Sequence, residues 1–226
     1  MTSHDTELWT DVDRYIDDTL VHSDDALQHA LRTCAEAGLP SINVAPNQGK
    51  FLQLLARARS AQRILEIGTL GGYSTTWLAR ALPAGGRLIT LENNPRHADV
   101  ARANLAHAGL ADKVEIRVGK AVDTLARLVS DGSAPFDFIF IDADKSSYPD
   151  YFRWSVKLSH RGTTMVADNV IRKGAVVDPQ SSDPNVQGVR KMHELIAADT
   201  RVSATSIQTV GAKGHDGLTL MIVDRE

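Results

Sequence analysis

The sequence ILEIGTLGGYSTTWLARAL (residues 64–82) decides the fold. Its first residues are apolar and favour a buried strand, glycines follow at Gly68, Gly71 and Gly72, and the remainder reads as a helix. A strand, a glycine-rich turn and a helix are typical of a site for a nucleotide-like cofactor. The glycine spacing differs from the G-x-G-x-x-G of dinucleotide-binding proteins, so the cofactor has to be inferred from other parts of the chain.

Two helices are predicted ahead of this segment, within residues 5–38, and a third over residues 47–59. The second helix has Ser23 as its predicted N-cap. The first helix carries apolar residues on roughly one face, which are Leu8, Val12, Tyr15, Ile16 and Leu20.

Strands and helices alternate after this point. The predicted strands lie at residues 63–67, 87–91, 113–118, 136–141 and 163–167, and the helices at residues 74–82, 95–108, 121–130 and 147–160. A helix near residues 185–199 then precedes two β-rich runs, 201–210 and 217–223, which suggest an antiparallel hairpin. We therefore expect an α/β fold, with a parallel sheet covered by helices on both faces.

Composition limits the partners of the protein. The 226 residues are 42% hydrophobic and carry a formal net charge of −3 without a dense basic stripe, so we expect no nucleic-acid partner. Cys34 is the only cysteine, which excludes an intrachain disulfide and a cysteine-based zinc site. No apolar run is long enough for a membrane span, and the polar start MTSHDTELWTDVDRY is unlike a signal peptide. The sequence therefore predicts a cytoplasmic protein without a membrane partner.

Polar residues at the ends of the first two strands indicate a cofactor. The helix after the glycine turn offers free N–H groups and the Ser74 hydroxyl to an anion, and Glu92 can accept hydrogen bonds from both hydroxyls of a ribose. These features fit both NAD and S-adenosylmethionine. Glu66 separates the two, because a carboxylate there would repel a pyrophosphate and tolerate a zwitterionic sulfonium. The glycine spacing and Glu66 favour S-adenosylmethionine, although a turn that only packs would have the same residues.

A second group of polar residues follows the next strands of the predicted sheet. Asp142 comes after FIFI, Asp168 and Asn169 come after MVA, and Lys145 lies three residues beyond Asp142. Two carboxylates and an amide oxygen suit a hard cation such as Mg²⁺, and a lysine beside it can act as a general base. Acidic residues at strand ends are also common as caps, and a lysine in a polar loop is often only a surface residue. Both interpretations stay open on the spacing alone.

Five segments together resemble the cation-dependent O-methyltransferases, the family of caffeoyl-CoA and catechol O-methyltransferases. The segments are NVAPNQGKFL, ILEIGTLGGYS, FDFIFIDADKSSYPDYF, VADNVIRKGAVVD and GHDGLTLMI. Their order and spacing match the family from about residue 41 to the C-terminus. The resemblance implies a Rossmann-like seven-stranded methyltransferase sheet, mostly parallel, with its last strand antiparallel and extra N-terminal helices. It also implies a single domain over residues 1–226, with N-terminal helices in residues 1–45 and the cofactor-binding core in 46–226.

The resemblance also implies a set of functional residues. Asp142, Asp168 and Asn169 would hold Mg²⁺ or another divalent cation, and Lys145 would remove the proton of the substrate hydroxyl. The residues expected around S-adenosylmethionine are Val44, Glu66, Gly68, Thr69, Ser74, Glu92, Ala121 and Asp142, with Asp142 counted as catalytic as well. The implied substrate is a small phenolic molecule with two adjacent hydroxyls, as in catechol, and the implied assembly is a homodimer.

One departure from the family concerns the loop after the metal pair. Where the plant enzymes tend to have Trp-Asn, this chain has Arg172 and Lys173, two cations that could favour an acidic or phosphate-bearing substrate or could simply face solvent.

Two functions other than methyl transfer are considered. An NAD(P)-dependent oxidoreductase would share Glu92 and the sheet but leaves DADK and DN unexplained, and a non-catalytic S-adenosylmethionine-binding dimer would not need Lys145.

Overall fold

The structure is a computed structural model and describes residues 3–225. The helices are α1 (Ser3–Ile16), α2 (Asp25–Glu36), α3 (Pro46–Ala58), α4 (Tyr73–Ala79), α5 (Pro95–His107), α6 (Ala121–Ser130), α7 (Tyr148–Lys157) and α8 (Pro184–Ala198). The strands are β1 (Arg63–Ile67), β2 (Arg87–Glu92), β3 (Val114–Val118), β4 (Phe136–Ile141), β5 (Ser159–Asp168), β6 (Val202–Gly211) and β7 (Gly214–Val223). Within the described range, no helix has the length and apolar character needed to cross a bilayer. The predicted single domain covers residues 1–226, of which residues 1, 2 and 226 lie outside the described part. Its predicted division into N-terminal helices and a cofactor-binding core at residue 45 stays a prediction.

The strands form one seven-stranded sheet in the order β3-β2-β1-β4-β5-β7-β6. The first five strands of this order run parallel, and β7 runs antiparallel to both β5 and β6. This arrangement confirms the predicted Rossmann-like sheet. The strand order reverses at β1, which has β2 on one side and β4 on the other. In open α/β sheets, ligands bind beyond the carboxyl ends of the strands at such a point.

Strand β4 shows why the sheet is buried on both faces. Phe138 and Phe140 pack into the core on one face, and Ile139 and Ile141 pack into the core on the other, because successive side chains of a strand alternate. All four side chains are fully buried. A continuous apolar run of this kind is what a parallel strand between two helical layers requires.

Two predicted boundaries are wrong by a few residues. Helix α2 is capped by Asp24 rather than Ser23, since the Asp24 carboxylate accepts a hydrogen bond from the Leu27 N–H at 3.1 Å. Strand β5 begins at Ser159, inside the range predicted as helix. Its pairing with β4 shifts register between Phe136 and Phe138, so the residues after Ser159 form an irregularity that the sequence pattern does not reveal.

The C-terminal hairpin is longer and its turn tighter than predicted. Gly211 pairs with Gly214, so only two residues form the turn. Gly214 has a φ of +88°, which glycine adopts without strain. His215 and Asp216 therefore belong to β7, although they were predicted to lie in a loop between the strands.

Helix α1 does not bury the apolar face that its sequence predicts. Leu8 is 56% exposed and Tyr15 is 69% exposed, and Val12 between them is exposed too. The helix is instead attached by Asp13, which accepts hydrogen bonds from the Asn47 amide at 2.8 Å and the Ala212 N–H at 2.7 Å. We call the surface formed by Leu8, Val12 and Tyr15 the α1 face. It points away from the core of the chain.

Candidate active site

A cavity of about 760 Å³ opens at the carboxyl ends of the central strands, a volume that suits a small-molecule ligand. The predicted site residues that line it are Val44, Gly68, Thr69, Ser74, Glu92, Ala121, Asp142, Lys145 and Asn169. Glu66 and Asp168 lie behind this lining, where both are buried. The fold thus brings the two predicted groups of polar residues to a single cavity.

The glycine turn after β1 lies directly against the turn after β4. Gly68 has a φ of +105°, and a side chain there would meet the backbone oxygen of Asp142, at 2.0 Å from its Cβ. The Asp142 N–H in turn donates to the Ile67 oxygen at 2.9 Å. Gly68 is therefore required by both its backbone conformation and this close approach. The contact holds Asp142 beside the cofactor turn.

Glu66 is fully buried beneath the turn and accepts three hydrogen bonds. They come from the hydroxyls of Ser74 at 2.6 Å, Thr75 at 2.5 Å and Thr90 at 2.7 Å. Burial raises the pKa of Glu66 to about 7, although the three hydroxyls lower it. Glu66 is therefore only partly ionised at neutral pH, which reduces the negative charge on which the sequence argument against a pyrophosphate depends. In this structure, Glu66 joins β1, β2 and α4 and holds the turn in place.

The buried carboxyl predicts a pH-dependent stability. Because the pKa of Glu66 is raised from 4.5 to about 7 in the folded protein, the protonated form is favoured by folding. Its contribution is fully present below pH 4.5 and is lost as the pH rises through 7. We expect Glu66→Gln to remove this loss. Between pH 5 and pH 8, the free energy of unfolding of the wild type should fall relative to that of the variant by about 2–3 kcal/mol.

Urea unfolding at the two pH values tests this expectation. The exposed Glu36→Gln variant is the matched control, with the same chemical change at a residue outside the core. Its stability relative to the wild type should not change with pH. An equal difference between the wild type and Glu66→Gln at pH 5 and pH 8 would contradict the account of Glu66.

Glu92, at the end of β2, holds the other side of the turn. One carboxylate oxygen accepts from the Leu70 N–H and the other from the Asn94 N–H, both at 2.8 Å. Leu70 has a φ of +48°, an unusual conformation for a residue other than glycine, and this hydrogen bond helps to hold it. His97 lies nearby, with Nδ1 at 3.6 Å from the carboxylate. Each Glu92 oxygen keeps a lone pair for a ligand in the cavity.

Lys145 and Asp142 form a close pair within the cavity. The lysine Nζ donates to Asp142 Oδ1 at 2.7 Å, and the residue is only 8% exposed. The short helical turn Lys145–Ser147 brings the two side chains together across three positions of the sequence. Below them, Tyr148 is fully buried, and its hydroxyl donates to the Ile141 and Asp168 backbone oxygens at 3.1 and 2.8 Å. The tyrosine therefore supports the floor of the site from within the core.

Asp168 and Asn169 lie at the end of β5, next to this pair. Burial and, to a smaller extent, the neighbouring charge of Asp142 raise the pKa of Asp168 to about 7, although the Asn169 N–H donates to the carboxylate at 2.8 Å and lowers the pKa. The Asn169 φ of +54° is one that asparagine tolerates better than most residues. In the part of the chain that is described, no three His, Cys, Asp or Glu side chains form a metal site by themselves. A cation here would need the Asn169 oxygen as a third ligand, and two carboxylates with an amide suit a hard divalent ion.

Comparison with known proteins decides the family. The model of a family described as "O-methyltransferase" matches residues 18–223. This chain belongs to that family. Over 217 residues it is 56% identical to the catechol O-methyltransferase of Niastella koreensis, covering 96% of this chain and 98% of that protein.

Other O-methyltransferases are also similar to this chain over nearly its whole length. Over 213 residues the chain is 49% identical to the catechol O-methyltransferase of Mycobacterium tuberculosis, covering 94% of this chain and 95% of that protein. The crystal structure of the O-methyltransferase from Bacillus cereus, in complex with SAH, superimposes with a TM-score of 0.96 at 54% identity. That match covers 97% of this chain and all of the other. The predicted family and the predicted enzyme class, an S-adenosylmethionine-dependent O-methyltransferase, are confirmed. An oxidoreductase or a non-catalytic binding protein is not favoured.

Sequence reasoning missed several residues that line the cavity of this O-methyltransferase. They include Leu31, Cys34, Ile42, Asn43, His97, Lys120, Val122, Tyr151 and Asn185. His97 lies five residues beyond Glu92, in the first turn of α5, and this nearness in the sequence could have indicated it. The residues before Val44 come from α2 and the loop after it, and their place beside the glycine turn depends on long-range packing. Cys34 shows this, since a side chain on Gly71 would lie 2.0 Å from its Sγ.

Proposed function

We propose that the protein transfers a methyl group from S-adenosylmethionine to one hydroxyl of a catechol-like molecule in a reaction that needs a divalent cation. The observation that carries this proposal is the close pair of Lys145 and Asp142, which faces the same cavity as the glycine turn and Glu92. The Lys145 amine, the Asp142 carboxylate and the glycine turn thus line one cavity, and the Asp168 carboxylate lies behind them. The similarity to two catechol O-methyltransferases supports the choice of acceptor.

The cofactor would lie between the turns after β1 and β2. Glu92 would accept hydrogen bonds from the ribose hydroxyls, and Thr69 and Ser74 would line its binding site. Val44 and Ala121 would contribute mainly backbone, because neither side chain can form a hydrogen bond. Glu66 would act from beneath, through its hydrogen bond to Ser74. S-adenosylmethionine supplies the methyl group that is transferred.

Asp142, Asp168 and Asn169 would hold the divalent cation. When bound, the cation supplies a positive charge that favours the ionised form of an acceptor hydroxyl. The burial of Asp168 beside Asp142 supports this assignment, because a buried carboxylate next to a second carboxylate is unfavourable unless positive charge lies close to it, and the Lys145 amine is bound to Asp142.

Lys145 would move the proton. Its Nζ is fixed by Asp142 at 2.7 Å and lies 5.2 Å from the centre of the Tyr148 ring, so its position is well defined. An uncharged Nζ would take the proton of the acceptor hydroxyl, and the resulting oxyanion would attack the methyl carbon while the bond from that carbon to the sulfonium sulfur breaks and S-adenosylhomocysteine leaves. Alignment of the reacting groups by the walls of the cavity would supply much of the acceleration, since orientation is worth roughly 7–11 kcal/mol in favourable cases.

A pair of acceptors tests the proposed reaction. Catechol and its singly methylated form, 2-methoxyphenol, differ in whether two free hydroxyls are adjacent. With S-adenosylmethionine and Mg²⁺, we expect catechol to gain one methyl group and 2-methoxyphenol to gain none, as followed by mass spectrometry. Equal methylation of the two molecules would contradict an acceptor with two adjacent hydroxyls.

Glu92 gives a prediction for cofactor binding. Hydrogen bonds to a charged acceptor are worth about 1.5–3 kcal/mol each, so Glu92→Gln should raise the dissociation constant of S-adenosylmethionine by roughly tenfold. Glu92→Ala should raise it further, because the Leu70 N–H also loses its partner. Calorimetric titration measures both, with the exposed Glu115→Gln as the matched control. An unchanged dissociation constant in both Glu92 variants would place the ribose elsewhere.

We also propose a homodimer formed through the α1 face. The helix packs against β6, an edge strand on which Ile207 and Val210 are exposed, so apolar side chains continue from the helix to the sheet edge. An open edge and an apolar patch are both features that a second copy would cover. Light scattering tests this, with a mass of twice 24.6 kDa expected for the wild type and a shift towards the monomer for Tyr15→Glu. The cytoplasmic location stays a prediction from the sequence.

A further inference from the structure

Arg172 places a positive charge in the wall of the active-site cavity. It follows the Asp168–Asn169 pair by three residues, and its side chain lines the same cavity as Lys145 and Asn169. Lys173, the next residue, is exposed and does not line the cavity. The two cations of this loop, which the sequence alone leaves equivalent, therefore differ in the structure.

The guanidinium of Arg172 has little to bind within the chain. Its Nε is shielded from solvent and has no hydrogen-bond partner among residues 3–225, and the side chain is 29% exposed. The carboxylate nearest to it is that of Asp216, with 3.9 Å between Nη1 and Oδ2. An arginine has five N–H donors in a planar fork, so a shielded guanidinium with one long ion pair has donors to spare.

Asp216 is occupied with the backbone of the loop. Its Oδ1 accepts hydrogen bonds from the N–H groups of Ile171 at 2.9 Å, of Arg172 at 3.0 Å and of Gly217 at 3.0 Å. Arg172 has a φ of +54°, which is rare for a residue with a side chain. The carboxylate thus holds an unusual backbone conformation that directs Arg172 into the cavity. Such outliers gather at functional sites.

The other charged groups of this region have partners of their own. Lys145 is bound to Asp142 at 2.7 Å. Asp144 accepts hydrogen bonds from the Tyr151 hydroxyl at 2.5 Å and from Ser147. Arg172 differs from Lys145 in that its nearest carboxylate oxygen is 3.9 Å away and belongs to a carboxylate that already holds the backbone of the loop, so its guanidinium is free to meet an anionic substituent of the acceptor.

We propose that Arg172 binds a carboxylate carried by the aromatic acceptor, so that the preferred substrates are dihydroxylated aromatic acids. The inference rests on the proposed function and adds the substrate class to it. A planar guanidinium pairs with a carboxylate through two parallel hydrogen bonds, which neither a lysine nor an amide reproduces. The one planar guanidinium of Arg172 matches the two oxygens of one carboxylate.

Two acceptors that differ in charge test the proposal. 3,4-Dihydroxybenzoate and its methyl ester have the same ring and the same hydroxyls, and only the acid can pair with Arg172. With Mg²⁺ and S-adenosylmethionine, Arg172→Gln should lower kcat/KM for the acid by about tenfold or more, mainly through KM, and change that for the ester by less than about threefold. Arg172→Lys, which keeps the charge but loses the fork, should recover part of the activity on the acid.

The matched control is Lys173→Gln, which removes the neighbouring charge outside the cavity. It should leave kcat/KM for both acceptors within about twofold of the wild type, because a solvent-exposed charge contributes little. A loss of equal size for acid and ester in Arg172→Gln would overturn the proposal and make Arg172 a structural residue. If Arg172→Gln keeps the wild-type ratio of kcat/KM between acid and ester, the proposal is overturned as well. If the wild type methylates neither acceptor, the proposed function itself fails, and this inference with it.

Discussion

Replacement of Lys145 by glutamine is expected to lower kcat for catechol methylation by about 10²- to 10⁴-fold, the usual contribution of a general base. The glutamine amide can still donate to Asp142, so the local structure should persist, but it cannot take up a proton at neutral pH. Binding of S-adenosylmethionine should change by less than about threefold, because the loss concerns proton transfer and not the cofactor turn.

The control for this variant is Lys157→Gln. Lys157 is an exposed residue of α7 whose Nζ lies over the Trp154 ring, at 4.4 Å from its centre. It undergoes the same chemical change at a distance from the cavity, and its kcat should match that of the wild type. Wild-type activity in Lys145→Gln would remove the lysine from the reaction. A loss confined to cofactor affinity would assign it to binding.

Asp168→Asn is expected to abolish metal-dependent activity without unfolding the protein. The asparagine oxygen can still accept from the Asn169 N–H, and the change removes a buried carboxyl that lies close to the charge of Asp142. In EDTA, the Tm of the variant should therefore equal or exceed that of the wild type, because a buried charge is costly to desolvate. Activity in Mg²⁺ should fall by more than about 10²-fold, as expected when a cation loses one of its charged ligands.

Thermal unfolding with and without Mg²⁺ gives a readout that does not depend on turnover. A ligand that binds only the folded state raises its stability, so the wild type should gain Tm as Mg²⁺ is added and Asp168→Asn should not. Asp150→Asn, an exposed change on α7, serves as the control and should respond as the wild type does. An equal Tm gain in Asp168→Asn would exclude Asp168 from the metal site.

The fold could be predicted from the sequence because local signals agree with the global arrangement. The apolar run of β4 and the alternation of strands with helices both indicate a covered parallel sheet, and the sheet has that form. The ends of the strands could not be predicted where tertiary contacts decide them. The irregular pairing at Ser159 and the two-residue turn after Gly211 depend on the neighbouring strand, which a single segment does not reveal.

The candidate site was predicted in part, because local signals indicate some of its residues and tertiary contacts decide the others. Residues at the end of a strand or directly after one, such as Glu92, Asp142 and Asn169, could be placed at the cavity by topology alone. The protonation of Glu66 could not be inferred, since it depends on burial beneath three hydroxyls from two elements. The difference between Arg172 and Lys173 was equally hidden, because it follows from the hydrogen bonds of Asp216, a residue more than forty positions away.

The exposed α1 face shows a limit of a different kind. A helical apolar pattern predicts that a face is covered, but it does not say by what. Leu8 and Tyr15 would normally be assigned to the core of the chain, and in this structure they face outward. The pattern is satisfied if the covering surface belongs to a second copy, which is the homodimer proposed above.

The most direct test of the central claim is the metal dependence of methyl transfer. The wild-type protein is incubated with S-adenosylmethionine and catechol, once with Mg²⁺ and once with EDTA, and the mass of the acceptor is measured. The account predicts a gain of one methyl group with Mg²⁺, no gain with EDTA, and recovery when excess Mg²⁺ is added back. Methylation that persists in EDTA would contradict the assignment of Asp142, Asp168 and Asn169 to a metal site, and the absence of product in both arms would contradict the proposed acceptor.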